Sequence, residues 1–449
     1  MRPVHSSEVD AIREHSRARL NLYPIVAGQS VSLLGDYIAF VTVPFFVLEL
    51  TGRAIDLGLT AAAETLPLLF FGFAAGVLLD RYRIKRILIL ADLVRAGVFV
   101  GLAFGSAGDS LEVWTVLAAA FLVGTMTTFF DSGLQSLLPA VVGRSMLVDA
   151  NSRLSLARTV AFSIGPAIGG LLVASSGGFP LAFGVNAATF GVSALLLLRI
   201  RELHARPEPV KETFASALRA GLRFLSRDRH LRWATIGAAV INFVFAPLEA
   251  LLILFVSDRL AGMVQVPTWL EWLFVEQAEV GLFIALQAAI GSLGVAFAPR
   301  LAKRIPLGRM YVIGMILMGG GFVVVSRLTT FWAVFPAALA LTGIGWINVS
   351  FSTLRQRLTP EPMLGRVTAA SRTIAYLFIP LGAAIGGWLA DEIGLTTVYL
   401  LGSSAVLALA VVFLVTPLWL WQSPAENDGA GSVLQQRLAV ATKGLRPRP

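Results

Sequence analysis

The sequence has no cysteine. That absence excludes a disulfide framework, a thiolate metal site and a cysteine nucleophile. Charge is sparse as well: Asp, Glu, Lys and Arg make up 14% of the chain, where ordinary soluble domains carry about a quarter. Histidine is rarer still. The four residues, His5, His15, His204 and His230, all lie outside the long apolar runs and show no metal-ligand spacing. No Gly-Lys dipeptide occurs, so there is no Walker A loop to cradle a nucleotide. A membrane enzyme, an ATP-driven pump and a resident metal or cofactor are therefore not expected.

What the chain has in abundance is apolar sequence. Of its 449 residues 56% are hydrophobic, and the mean hydropathy is +0.77, the balance of a polytopic membrane protein. A helix needs about twenty apolar residues to cross a bilayer. Twelve such spans are found, at 22–50, 54–79, 84–106, 112–131, 150–175, 180–199, 232–257, 277–299, 307–326, 331–353, 366–390 and 395–420. The net charge of +9 does not point to nucleic acid, because of where the cations lie. With the N-terminus in the cytoplasm, 29 of the 36 Lys and Arg fall in cytoplasmic segments and three (Arg53, Arg259, Arg327) in external ones. The other four (Arg95, Arg153, Arg158, Arg372) lie within spans or at their ends. This is the positive-inside pattern. Both termini are expected in the cytoplasm, and the protein in the plasma (inner) membrane as a multi-pass monomer. Residues 1–21 are polar and contain four Arg, so no cleavable signal peptide is expected.

The parts then follow in order. Residues 1–21 form a cytoplasmic tail, read as a partly disordered leader rather than a short surface helix. A first six-span half occupies 22–199. A linker at 200–231 carries Pro207-Glu208-Pro209 and then Phe214, Leu218, Leu222 and Leu225 at helical spacing. That spacing predicts an amphipathic helix on the inner leaflet. The second half occupies 232–420, and the polar, basic tail 421–449 is expected to be disordered. The halves repeat one another. Gly165-Pro166-Ala167-Ile168-Gly169-Gly170 in the fifth span is echoed in the eleventh by Pro380-Leu381-Gly382-Ala383-Ala384-Ile385-Gly386-Gly387, and Leu138-Pro139 by Thr359-Pro360. Proline removes a backbone hydrogen bond and bends the helix, and the glycines open a smooth face for close helix packing. The fold class read from this pattern is all-α: twelve transmembrane helices in two pseudo-symmetric halves with a site between them, a known transporter design.

Ionisable residues inside apolar spans are costly and point to function. Asp36 is about fourteen residues into the first span, near the midplane at about 1.5 Å per residue. The alternative is an Asp kept neutral or paired for packing alone. Glu64 lies in the outer half of the second span and is a second protonation candidate, because an apolar setting favours the neutral carboxyl. Glu249 lies past the midplane of the seventh span and is a candidate for a proton or a cationic substrate; a structural acid is the equal alternative. Asp92 and Arg95 are three residues apart on one helical face, read as a self-neutralised pair or as part of a charge relay. Asp131 lies near the inner end of the fourth span, with Arg153 and Arg158 entering the fifth from the same side. A gate ion pair is expected there, with its cation unassigned. In the tenth span Trp346, Asn348, Ser350 and Ser352 form a polar stripe for the central cavity. The loop at 267–274, rich in Trp and Phe, reads as an interfacial anchor.

Between the second and third spans stands Gly76-Val77-Leu78-Leu79-Asp80-Arg81-Tyr82-Arg83-Ile84-Lys85-Arg86, a glycine, a carboxylate and four cations in a short junction. Its counterpart after the eighth span keeps the cations but has Lys303 where Asp80 stood. This loop and the Gly-Pro-x-x-Gly-Gly helix resemble motifs A and C of the major facilitator superfamily, over about residues 20–420. Leu34-Gly35-Asp36, Asp92-Leu93-Val94-Arg95 and Leu138-Pro139 through Ala150-Asn151-Ser152 are similar to the drug:proton antiporter branch that holds macrolide efflux pumps and the enterobactin exporter. Two departures stand out: Ala161 replaces a frequent glycine of motif C, and the fourth-span Arg that usually accompanies the motif A Asp is missing. Arg95 and Arg158 are the candidates to stand in for it. The resemblance implies an alternating-access exporter of a small apolar or amphipathic compound, driven by the proton gradient and using no cofactor. Asp36, with Glu64 or Glu249, would couple proton to cargo. Gly76, Asp80, Arg81, Lys85 and Arg86, with Asp92, Arg95, Asp131, Arg153 and Arg158, would form the cytoplasmic gate. An importer of the same fold and a transport-inactive sensor or lipid-handling protein remain open.

Overall fold

The structure, a computed structural model, describes residues 5–108, 110–200, 214–260 and 276–419. Side chains are described within these ranges except at 5–19, 72–81, 144, 145, 214, 215, 217, 260 and 276. The aromatic loop at 267–274 and the tail at 421–449 fall outside the described residues. Backbone polar groups in hydrocarbon must be satisfied within the element, so the apolar runs fold as helices. Among the described residues, twelve are long and apolar enough to cross a membrane. They are α1 His5–Thr51, α2 Ala54–Arg81, α3 Ile84–Ala107, α4 Val113–Gly143, α5 Met146–Ala174, α6 Gly178–Leu198, α7 Arg229–Ala250, α8 Glu276–Ala296, α9 Leu307–Val325, α10 Val334–Leu358, α11 Leu364–Ile393 and α12 Leu395–Leu414. Helices α1–α6 form one half and α7–α12 the other, related by the internal repeat.

Two expectations need correction, and a third gains a contact. The leader from His5 onward is helical and continuous with α1; its Glu, Ala and Arg favour helix and extend the span without a break. Helix α4 runs beyond Asp131 to Gly143. Leu137, Leu138, Val141 and Val142 are buried in a common cluster with Leu22 and Ile25 of α1, so this last stretch is packed bundle rather than loop. The break falls at Gly143, whose φ of 70° and ψ of 165° suit only a residue without Cβ. The linker helix, Phe214–Arg227, stands at the expected residues and also packs on α11: Leu225 is buried with Val367 and Ala370, and Gly221 lies against the Arg366 carbonyl and Ala370.

Side-chain hydrogen bonds tie helices within each half. Lys85 Nζ donates to the Leu198 and Ile200 carbonyls, 2.8 Å each, so a cation closes the C-terminal end of α6, where the helix dipole favours it. In the second half Tyr311 donates to the Ala234 carbonyl at 3.2 Å and Trp346 to the Gly294 carbonyl at 3.1 Å. Without water to expel, such bonds and close packing carry helix association in a membrane.

The glycine faces do this packing in matched pairs. Gly165 and Gly169 lie against Tyr37 and Val41 of α1; Gly382 and Gly386 lie against Phe243 and Pro247 of α7. The third glycine of each motif crosses between halves. Gly170 meets Gln277 and Ala278 of α8, and Gly387 meets Ala54, Ile55 and Gly58 of α2. Both seams lie where α2 and α8 begin, far from the arginine-rich connections. Beside one of them, both Asp391 oxygens of α11 accept backbone N–H groups of α2, Ala54 at 2.9 Å and Ile55 at 3.0 Å. Toward the arginine-rich end the halves part: from Asn151 to Val160 nearly every residue of α5 is exposed.

A side chain at a seam should therefore bias the molecule. Overpacking costs about 1–3 kcal/mol, enough to move a two-state equilibrium about 5- to 150-fold. Gly387→Val is expected to open the seam and depopulate the sealed state. The cysteine-free background makes this measurable: a membrane-impermeant maleimide should label Val43→Cys, in the cavity wall, faster from the seam side in the Gly387→Val protein. Equal labelling would show that the seam tolerates the bulk.

Candidate functional site

The site is built where α1, α2, α3 and α4 face α7. A cavity of about 380 Å³ lies there, within the size range of drug-binding pockets. Most of its wall is apolar, from residues such as Leu33, Phe40, Val43, Leu57 and Phe99. Into this wall project four carboxylates, Asp36, Glu64, Asp131 and Glu249, against two guanidinium groups, Arg95 and Arg158. The three residues expected to couple proton and substrate, Asp36, Glu64 and Glu249, thus share one cavity. Among the described residues, Glu249 is the one carboxylate that the second half contributes to this cavity.

Its most organised part is Arg95, which is 1% exposed. One face of the guanidinium lies 4.7 Å from the Phe130 ring centre and another 4.3 Å from that of Phe190, an arrangement in which aromatic faces attract a cation. Its Nη2 donates to Asp92 Oδ1, within the same helix. Its Nη1 stands 3.8 Å from Asp36 Oδ1, on α1. The two carboxylates differ in access. Asp92 is fully buried behind the arginine, while the Asp36 side chain is 33% exposed. Arg95 is thus held permanently by Asp92 and loosely by Asp36, which the cavity can reach.

This placement changes several expectations. Asp92 and Arg95, expected at the gate, belong to the central cluster, because α3 carries them to the level of Asp36. Asp131 and Arg158 line the same cavity rather than a separate gate. Asp131 lies within electrostatic reach of Arg158, Arg95 and, across the opening, Arg372. Arg153 is no partner for Asp131: its Nε binds both oxygens of Asp149 at 3.0 Å on the exposed surface of α5. Arg153→Gln is accordingly expected to leave transport and the thermal midpoint unchanged, the usual outcome for an exposed i,i+4 pair. Of the junction at 76–86, the side chains of Gly76, Asp80 and Arg81 lie outside the described residues; Arg86 is exposed and Lys85 is the α6 cap. Sequence reasoning missed Phe130, Phe190 and Asp391. Nothing short of their partners' positions distinguishes these residues from the many other aromatic and acidic ones.

A bundle of twelve spans in two repeats, enclosing a charged and apolar central cavity sealed at one end, is the architecture of a major facilitator transporter. The chain belongs to the family described as transmembrane secretion effectors, which matches residues 22–441. It is 26% identical to macrolide efflux protein A of Streptococcus pyogenes, over 89% of this chain and 97% of that protein. It is 29% identical to the multidrug efflux pump Tap of Mycolicibacterium fortuitum, over 85% and 92%. Among solved structures, the nucleoside transporter NupG superimposes with a TM-score of 0.68 at 12% identity, covering 90% of this chain and 100% of that one. A bacterial homologue of the iron transporter ferroportin gives 0.68 at 16% identity, covering 88% and 97%. The solved structures show the fold, and the family match shows a membrane transporter of this superfamily.

Proposed function

We propose that the protein exports a small amphipathic compound, preferentially a cationic one, in exchange for protons. The observation that carries this reading is the unequal hold on Arg95. Asp92 is its buried, permanent counterion, and Asp36 is the reachable arm of the same cluster. A proton or a substrate cation can take Asp36 without leaving Arg95 unpaired, so the two ligands compete for one carboxylate. Competition of this kind is what couples opposing fluxes. Glu64, Asp131 and Glu249 add negative charge around an apolar wall, which suits an amine on a greasy scaffold. The relatives' macrolide and multidrug substrates are compatible with that chemistry.

In this reading the arginine-rich end faces the cytoplasm, as the distribution of cations favours. The cavity then opens inward, sealed outside by the α5–α8 and α2–α11 seams. Cargo binds from the inside as Asp36 releases its proton; rocking of the halves about the cavity exposes the site outside, where reprotonation releases the cargo. The junction at 76–86, with Asp80, would lock the inner side in the alternate state. The proton gradient supplies the work, and the unit is a monomer in the plasma membrane. The test is uptake into inverted vesicles against right-side-out vesicles, with a macrolide and a lipophilic cationic dye, under an imposed pH gradient. Accumulation in inverted vesicles, acid inside, is the expected result. Gradient-driven uptake in right-side-out vesicles alone would make the protein an importer.

A further inference from the structure

A second cavity, of about 430 Å³, lies between α7, α10 and α11. It faces Ala238–Phe245 of α7, whereas the central cavity faces Ala246–Ile253. It therefore sits about two helical turns nearer the arginine-rich end. Arg355 and Arg372 both line it, and among the described residues no Asp or Glu does. Arg355 is half-buried; it donates to Ser371 Oγ at 3.1 Å and lies over the Phe351 ring, with its Nε buried and unpartnered. Arg372 lies over the Tyr376 ring. Neither has a carboxylate partner among the described residues.

The internal repeat explains what this cavity is. Tyr37 and Val41 meet Gly165 and Gly169 in the first half as Phe243 and Pro247 meet Gly382 and Gly386 in the second. That register pairs Asp36 with Asn242. Pro139 repeats as Pro360. This register pairs Asp131 with Ser352. Asn242 and Ser352 both line the second cavity. The cavity thus has neutral polar residues where the repeat places Asp36 and Asp131, and its two arginines stand at new positions, Arg355 opposite Leu134 and Arg372 opposite Ser155. In the first half the cations are balanced by the chain's own acids. Around the second cavity no described Asp or Glu lines the wall beside Arg355, which is half-buried, or Arg372, which is exposed, and a partly buried charge without a partner is costly.

We propose that this cavity binds an anion, a phosphate or phosphodiester group held by Arg355 and Arg372 with Asn348 and Ser352 as further donors. Arginine's planar fork suits such oxygens. The anion takes the place that Asp36 and Asp131 occupy in the other half. The assignment is independent of the direction of transport, since it is tested by equilibrium binding.

The full-length protein in neutral detergent is titrated with inorganic phosphate while its thermal midpoint is followed, and the same midpoint is read in nanodiscs of phosphatidylcholine with and without phosphatidylglycerol. A saturating ligand should raise the midpoint by at least about 2 °C, and Arg355→Gln and Arg372→Gln should abolish the rise. Stabilisation by free phosphate identifies a soluble anion; stabilisation by phosphatidylglycerol alone identifies a lipid headgroup. Ser352→Asp restores an internal carboxylate and should raise the midpoint without ligand and remove the response. It also guards against arginine variants that fail to fold. No response of the wild type in either arm, or an equal response in the arginine variants, overturns the proposal.

Discussion

Asp36→Asn protein in proteoliposomes is expected to lose pH-gradient-driven efflux by more than about tenfold, a transition-state difference above about 1.4 kcal/mol, while retaining substrate exchange at equal pH. The distinction follows from the geometry. Asparagine keeps the size and much of the polarity of the cavity wall, so cargo still binds through the apolar surface and the remaining carboxylates. What disappears is the group for which, in the proposed exchange, proton and cargo compete. Arg95 does not lose its main partner, because Asp92 is buried against it, so the variant should fold and insert normally. Full gradient-driven efflux in the Asp36→Asn protein would remove Asp36 from the coupling role. Loss of exchange together with efflux would make it a binding residue instead.

The second large effect concerns stability. Arg95→Leu leaves Asp92 buried with no cation, and breaking a buried pair on one side costs about 3–5 kcal/mol. The variant is expected to be extracted in low yield and to lose monodispersity in detergent at temperatures the wild type survives. Asp92→Leu should be harmful as well, leaving Arg95 with Asp36 alone as counterion. Replacing both removes the unpaired charge and places apolar side chains beside Phe130 and Phe190. The double variant should recover most of the stability, since well-packed apolar residues replace buried ion pairs at little cost. It should not recover coupled transport, because Asp36 then loses the cation that stands beside it. Size-exclusion profiles after heating give the first readout and gradient-driven efflux the second. Double-variant stability no better than the worse single variant would show that the cluster is held by its aromatic packing rather than by charge.

The fold was largely legible in the amino-acid order. Apolar runs of bilayer length, the Arg bias between them and the two Gly-Pro-type motifs define twelve helices in two repeats, and the glycines pack as a smooth helix face should. The site was legible in its members but not in its grouping. Asp36, Glu64 and Glu249 stand out as acids in apolar spans, and they do line one cavity. Yet Arg95 meets Asp36 only because α1 and α3 lie side by side, and spacing along the chain carries no sign of that. Asp131 suggested the end of a span because charge usually belongs to the headgroups. Here it turns into the cavity, and α4 continues past it. Asp391 and the amides it binds are separated by most of the chain, so their pairing exists only in the folded molecule.

That last contact has a consequence for how the carrier waits between turnovers. Asp391 is a borrowed helix cap: α2 supplies the open N–H groups and α11, in the other half, the acceptor. Caps of this kind contribute about 0.5–2 kcal/mol, which favours the joined arrangement roughly 2- to 30-fold. The empty molecule therefore idles with its pocket turned toward the arginine-rich side. A ligand arriving there finds most molecules competent to receive it, whereas one arriving from the seam side finds a minority and binds with a lower apparent affinity. A carboxylate remote from the cavity thus acts as a ratchet tooth. It makes the two sides of the membrane unequal to the cargo before any gradient is applied.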